Sequence, residues 1–543
     1  MFSSARRPSW VLKQEGIPMQ KLISRQLLLS DLAVLSYLAL LTIFIHFLTN
    51  GGYGYFRDEL YYMACGKHLA WGYVDQPPFV ALMAFVTRHL LGDSLFALRF
   101  LPAICGGLIV LLTGLMAREL GGGGYAQGLA AVAVMVAPVY LAIDNFFSMN
   151  CFDEVFWALA GYIVILILKE GDPKLWVLFG LVAGIGLMNK YSMGFLGLGV
   201  VVGLVLTPAR RHLFSKWLRL GGAIAFVIFL PHILWEIRNG FPTLEFIHNA
   251  TAIKNLSPAA GAFFSEHGLP DRTPLQLIAG SVIEMHPLTM PIWLAGLAFF
   301  FLAKAGKPYR LFGWIYVSIL ALFLLTKARP YYLSPAYLFL FAGGAVAIGA
   351  FVQQRNWNWL KPASLVLLLM GGAALAPYAL PIFPLGIFLK YQEFIGFKPA
   401  TEERGELGKL PEQYADMFGW ENMVATVAKV YNSLSPEEKQ KCVIGASNYG
   451  EAGAIDFFGK KYGLPHAISG HNNYWIWGPG EKPGEIAIIV GGNLKDYHSI
   501  YEDVQPAATV VSEYARETDL PVYLCRRPKL TLQQVWPHVK GFI

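Results

Sequence analysis

Residues 28–48 read LLSDLAVLSYLALLTIFIHFL. A helix needs about 20 apolar residues to cross a bilayer core, and this run supplies them. It is longer than the roughly 7–15 residue apolar region of a secretory signal, and no small-residue A-x-A site follows it. The expectation is an uncleaved first transmembrane helix. Residues 1–27 ahead of it are polar and basic, with Arg6, Arg7, Lys13, Lys21 and Arg25. Further apolar runs lie near 96–118, 124–143, 151–169, 174–190, 192–208, 217–236, 289–304, 309–326, 331–351 and 360–380. The expected fold is therefore a polytopic α-helical membrane protein with about eleven transmembrane helices.

Composition agrees. Of 543 residues, 55% are hydrophobic and only 15% charged, against about 25% charged in a soluble domain. The mean hydropathy is +0.46. A soluble enzyme, a disordered chain and a disulfide-knit secreted module are excluded. The net charge of +7 is small for this length. Its basic residues sit between apolar segments rather than in a stripe, which argues against nucleic acid as a partner. Five cysteines are too few for a disulfide framework; Cys442 and Cys525 could form one bridge or stay as two buried thiols.

The Lys/Arg bias sets the expected orientation. With the N-terminus in the cytoplasm, Arg118, Lys169, the cluster Arg210, Arg211, Lys216 and Arg219, then Lys304, Lys307, Arg310, Arg355 and Lys361 all fall in inner loops. Three regions are then extracytoplasmic: the loop 49–95, the loop 237–288 and the tail. The division is 1–27 as a cytoplasmic segment, 28–384 as the membrane domain, and 385–543 as a small C-terminal α/β domain. In the tail, KCVIGAS (441–447), EIAIIVGG (485–492), ATVVSEY (508–514) and PVYLCRR (521–527) read as strands, while 419–434 and 449–463 read as helices. Such alternation suggests a parallel sheet.

The first outer loop is the richest in chemistry. It reads GGYGYFRDELYYMACGKHLAWGYVDQPPFVALM from 51 to 83. Arg57, Asp58 and Glu59 stand together shortly after a membrane helix, and Tyr73, Asp75 and Gln76 follow. The spacing of apolar residues from Leu60 to Leu69 predicts a helix lying along the membrane surface. Asp58 would sit at the membrane–water boundary, where one carboxylate meets both a lipid-borne and a water-borne substrate. The plainer reading is a solvated pair with Arg57.

Other candidates carry the same two readings. Asp153 and Glu154 near a helix start are explained by the helix dipole, or by function as near-membrane charges. Lys190 between apolar runs either snorkels or holds a phosphate. His248 and Lys254 lie in the second outer loop, where a His is more often a plain loop residue. Lys327, Arg329, Tyr331 and Tyr332 place two cations at an outer turn, against the inside bias, which an anionic lipid head group would explain. No Walker loop, G-x-G-x-x-G or H-E-x-x-H occurs. Ser447–Glu451 follows a strand like a mononucleotide turn but holds one glycine.

Five stretches taken together resemble the GT-C type glycosyltransferases that use polyprenyl-phosphate sugars, namely the family 39 protein mannosyltransferase-like and lipid A aminoarabinose transferase-like proteins. They are RDELYY (57–62), GYVDQPPF (72–79), FDEVFWALAGY (152–162), GIGLMNKYSMGF (184–195) and KARPYYLSPAYLFL (327–340). The resemblance spans about residues 28–380. It implies an inverting transfer from a polyprenyl-phosphate-linked sugar donor to a hydroxyl of a glycolipid, polysaccharide or protein acceptor, at the bacterial inner membrane. It implies Asp58 as general base with Glu59 beside it, Asp153 as an orienting carboxylate, and Lys190, Lys254, Arg329 and Tyr331 around the donor phosphate. Arg57, Tyr73 and Gln76 would touch substrate. It also implies a divalent metal ion, with Asp75 and His248 as nearest ligands, and no nucleotide; two ligands alone do not complete a metal site. Gln76 departs from the pattern, because the aminoarabinose relatives carry Lys there. The competing readings are a transporter or lipid-sugar flippase without transfer chemistry, and a non-catalytic scaffold displaying the tail. Transporters favour inverted repeats and broken midplane helices, whereas these acidic residues gather at one face.

Overall fold

A computed structural model describes residues 30–254, 274–396 and 409–543. The basic segment 1–27 and residues 255–273 of the second outer loop lie outside the described residues. The first apolar run forms a helix over Asp31–Thr49, started by the Ser30 side chain, which accepts from the Ala33 amide at 3.3 Å. Leu40, Phe44 and Leu48 repeat every fourth position along its exposed face. Lipid tails suit such a stripe, since the helix satisfies its own backbone.

Among the described residues seven helices are long and apolar enough to cross a membrane, or nine if two bent pairs each count as one span. The expected number of about eleven is not reproduced. The run 124–143 is cut into Gly124–Val136 and Pro138–Ile143, because Pro138 lacks the amide that would continue the helix and pushes Ala137 into extended geometry. The run 174–190 yields only the 15 residues Leu175–Asn189. Ser192–Val205 bends by 115° into Pro208–Phe214, and Pro274–Glu284 by 94° into Pro287–Leu302. Helices approach closely where side chains are small. A Cβ on Gly180 would lie 2.1 Å from the carbonyl oxygen of Gly221 on Lys216–Arg238, so only glycine permits this crossing.

The tail is an α/β domain whose five-stranded sheet is mixed rather than wholly parallel. Its strands are β1 (Cys442–Ala446), β2 (Ala467–Ile468), β3 (Ile486–Val490), β4 (Tyr501–Val510) and β5 (Leu520–Pro528), in the order β2-β1-β3-β5-β4. β1 pairs parallel with β2 and β3, while β5 runs antiparallel to both β3 and β4. The strand expected at 508–514 begins earlier, at Tyr501. Cys442 and Cys525 are both free and buried. One packs into the core on one face of the sheet and the other into the core on the opposite face, with β3 between their strands, so no bridge can close.

The first outer loop does not lie open on a membrane surface. Its helix, Arg57–Lys67, buries every residue from Glu59 to Gly66, with a tail helix, Tyr449–Phe458, along one side and membrane-domain residues such as Arg99, Phe147 and Ala84 on the other. A Cβ on Gly453 would lie 3.0 Å from the Leu60 carbonyl carbon, and one on Gly450 would meet Arg57 Cγ at 2.5 Å. At the far end Lys67 Nζ donates to the Asp456 carbonyl at 3.2 Å.

Candidate active site

Asp58 occupies the first turn of the loop helix, where the helix dipole favours a negative charge. Its side chain is 30% exposed, and Arg57 Nε stands 3.6 Å from Oδ1. The Tyr449 hydroxyl donates to the same oxygen at 2.8 Å. Asp58 is thus the one carboxylate of the RDE triplet that solvent or a substrate can reach.

Glu59 is not available to substrate, and its expected catalytic part is corrected. It is fully buried against Arg99, also fully buried, with Arg99 Nε to Oε1 and Nη2 to Oε2 both at 2.9 Å. Oε1 also accepts from the Phe147 amide and Oε2 from the Phe56 amide, each at 2.8 Å. Each oxygen therefore takes two donors, and this two-pronged geometry fixes the helix start. The Phe147 contact ties the loop to the next acidic motif, since the Phe147 ring meets Phe152 at 5.7 Å, one residue before Asp153.

The second motif gathers around Lys190. Asn189 ends its helix, and Lys190 takes extended geometry. Its Nζ donates to Asn150 Oδ1 at 2.7 Å, stands 3.6 Å from Asp153 Oδ2, and lies over the Tyr332 and Tyr331 rings at 5.2 and 5.9 Å. Ser192 donates to Asp153 at 2.5 Å, and Ser334 donates to Glu154. Asp153 and Glu154 are not caps, because Ser148 caps their helix. Asp153, Lys190 and Tyr331, drawn from three motifs, line one narrow cleft.

Other expected residues fall elsewhere. Arg329 is half-buried just before the turn that carries Tyr331. Lys254 ends the helix Pro242–Lys254, and its side chain lies outside the described residues. Arg57 is mostly covered, its guanidinium 5.3 Å above the Tyr449 ring. Tyr73 and Gln76 are corrected as substrate contacts, for both are fully buried. The Tyr73 hydroxyl is spent on the Cys65 and His68 carbonyls, each at 3.1 Å, which braces the loop. His248 is exposed, whereas Asp75 is turned inward to the Tyr61 hydroxyl at 2.9 Å. Among the described residues no three potential metal ligands converge. The donors present there do not fit a metal centre, and no chemical step is routed through one. The sequence reading missed Arg99, Asn150, Ser192 and Tyr449; for Tyr449 the one signal was the Ser447–Glu451 turn, which is a capped helix start.

Burial pushes the Asp75 carboxyl up to about 7, with the Asp58 charge adding to the rise and the Tyr61 hydrogen bond opposing it. A carboxyl whose folded value exceeds its unfolded one binds protons on folding. Stability then falls as pH rises from the unfolded value, about 4, to about 7. Thermal unfolding across that window should show the decline, and Asp75→Asn should flatten it; an unchanged slope would remove Asp75 as the cause.

The fold matches that of ArnT from Cupriavidus metallidurans in the apo state, with a TM-score of 0.57 at 16% identity over 90% of this chain and 97% of that one. The same protein bound to undecaprenyl phosphate matches with a TM-score of 0.56 at 15% identity, with the same coverage. The model of the family described as dolichyl-phosphate-mannose-protein mannosyltransferase matches residues 75–235. The chain shares the fold of ArnT and matches the family model over less than a third of its length. Among named relatives it is similar to the lipid A galacturonosyltransferase RgtD of Rhizobium johnstonii, 23% identical over 62% of this chain and 67% of that protein. It is also similar to the lipopolysaccharide core galacturonosyltransferase RgtB of the same organism, 27% identical over 36% of this chain and 40% of that protein.

Proposed function

We propose that this chain moves a sugar from a polyprenyl-phosphate donor to a hydroxyl of an extracytoplasmic envelope glycolipid, with inversion at the anomeric carbon. The carrying observation is Asp58, a reachable carboxylate on the first turn of a helix otherwise buried. Its carboxylate takes the acceptor's proton while the acceptor oxygen bonds to the anomeric carbon and the bond to the phosphate oxygen breaks. The lipid phosphate leaves with the electron pair, and Lys190 supplies positive charge for it. Asp153 and Asn150 hold the ammonium from behind, and Tyr331 and Tyr332 flank it. Galacturonic acid and lipopolysaccharide are the first sugar and acceptor to test, because they are named for the relatives above. The extracytoplasmic placement of the tail belongs to the same reading.

Mass spectrometry of envelope glycolipids with and without the chain tests the proposal. A missing sugar on one glycolipid is the expected result; identical glycan profiles with altered lipid-sugar flux across vesicles would favour a flippase. Lys190→Met should raise the donor KM about 10- to 100-fold, the worth of a hydrogen bond to a charged group, with a smaller change in kcat. An unchanged donor KM would remove Lys190 from the phosphate site.

A further inference from the structure

The membrane domain and the tail meet at the carboxylate that the proposed function uses. The tail helix Tyr449–Phe458 starts from a capping box in which the Asn448 side chain accepts from the Gly450 and Glu451 amides, at 2.8 and 3.0 Å. That cap fixes the direction of Tyr449, whose hydroxyl reaches Asp58 Oδ1 at 2.8 Å. The ring is held on three sides: by the Tyr61 ring at 4.7 Å, the His471 ring at 4.9 Å and the Arg57 guanidinium at 5.3 Å. The Tyr449 amide donates to His471 Nδ1 at 3.3 Å. A second tail residue, Asn473, accepts from the Val74 amide at 2.6 Å, so the tail grips the loop at two places, Asp58 and Val74.

We infer that Tyr449 is a positioning residue for the reaction, donated by the tail domain, which holds Oδ1 of Asp58 and so fixes the orientation of the carboxylate. This deepens the proposed function and rests on it for the role of Asp58, though the contact itself does not. A carboxylate with one oxygen pinned has fewer orientations to lose in the transition state. The tail is then part of the active site rather than a cap above it.

The test uses the full chain in lipid nanodiscs. Water-soluble carbodiimide with glycine ethyl ester labels reachable carboxyls, and peptide mass spectrometry reads the rate at each. Tyr449→Phe keeps the ring packing and removes only the donor. Asp58 should label several-fold faster in this variant, while buried Glu59 stays unlabelled in both proteins. In transfer assays with the donor and acceptor that the glycolipid comparison identifies, kcat should fall about tenfold, as for a lost hydrogen bond to a charged group, with donor KM within about twofold. An unchanged labelling rate at Asp58 overturns the proposal, and so does an unchanged kcat. Were Asp58→Asn fully active, the base reading would fail, yet the labelling would still report whether Tyr449 holds Asp58.

Discussion

Asp58→Asn should lower sugar transfer about 10²- to 10⁴-fold, the usual contribution of a general base, with donor KM little changed. The variant should insert and melt like the parent, because Asp58 is partly exposed and its partners Arg57 and Tyr449 keep their own packing. The comparison is informative because the neighbouring carboxylate differs by one residue and has a wholly different environment. Full transfer by Asp58→Asn would leave the site without its base, since Glu59 takes four donors and faces no opening.

Arg99→Leu should have the largest effect on stability. It leaves the Glu59 charge buried without its partner, which typically costs about 3–5 kcal/mol. The loss spreads further, because the same guanidinium donates to the carbonyls of Asn50, Gly52 and Gly54. Those carbonyls belong to the turn that leads from the first membrane helix to Asp58. A melting temperature in detergent several degrees lower, with reduced yield of folded protein, is the expected result. The double variant Glu59→Leu/Arg99→Leu should recover only part of it, since the three carbonyls remain without Arg99. Parent-like melting of the single variant would show that the pair contributes little.

The membrane architecture was legible because apolar runs of spanning length state their own purpose, as in Asp31–Thr49. The helix count was not, because a run such as 124–143 looks continuous in composition while Pro138 divides it. In the tail the inner strands stood out by their β-branched residues. β4 did so only at its last residues, for most of YEDVQPAATV carries charges and a proline. It lies at the sheet edge with a register shift between Pro506 and Ala508, where such residues are tolerated. The candidate site divides the same way. Asp153, Lys190 and Tyr331 belong to separate motifs that the fold brings to one cleft. Glu59 and Asp58 look alike in sequence, and partners remote in the chain separate their environments: Arg99, 40 positions away, and the Phe147 amide, 88 away, for Glu59. Tyr449 carries no local mark of its partner.

Tyr449 and Asp58 are 391 positions apart, and that distance has a bearing on biogenesis. The loop that bears Asp58 emerges early in synthesis, yet the surface that covers it is made hundreds of residues later. Until then Leu60 and Tyr61, which meet Gly453 and Tyr449 of the tail, lack that cover, and contacts so remote in sequence form slowly. A nascent chain therefore cannot acquire a finished reaction centre piecemeal, and ribosomal stalling or truncation within the tail should yield inserted but inert protein.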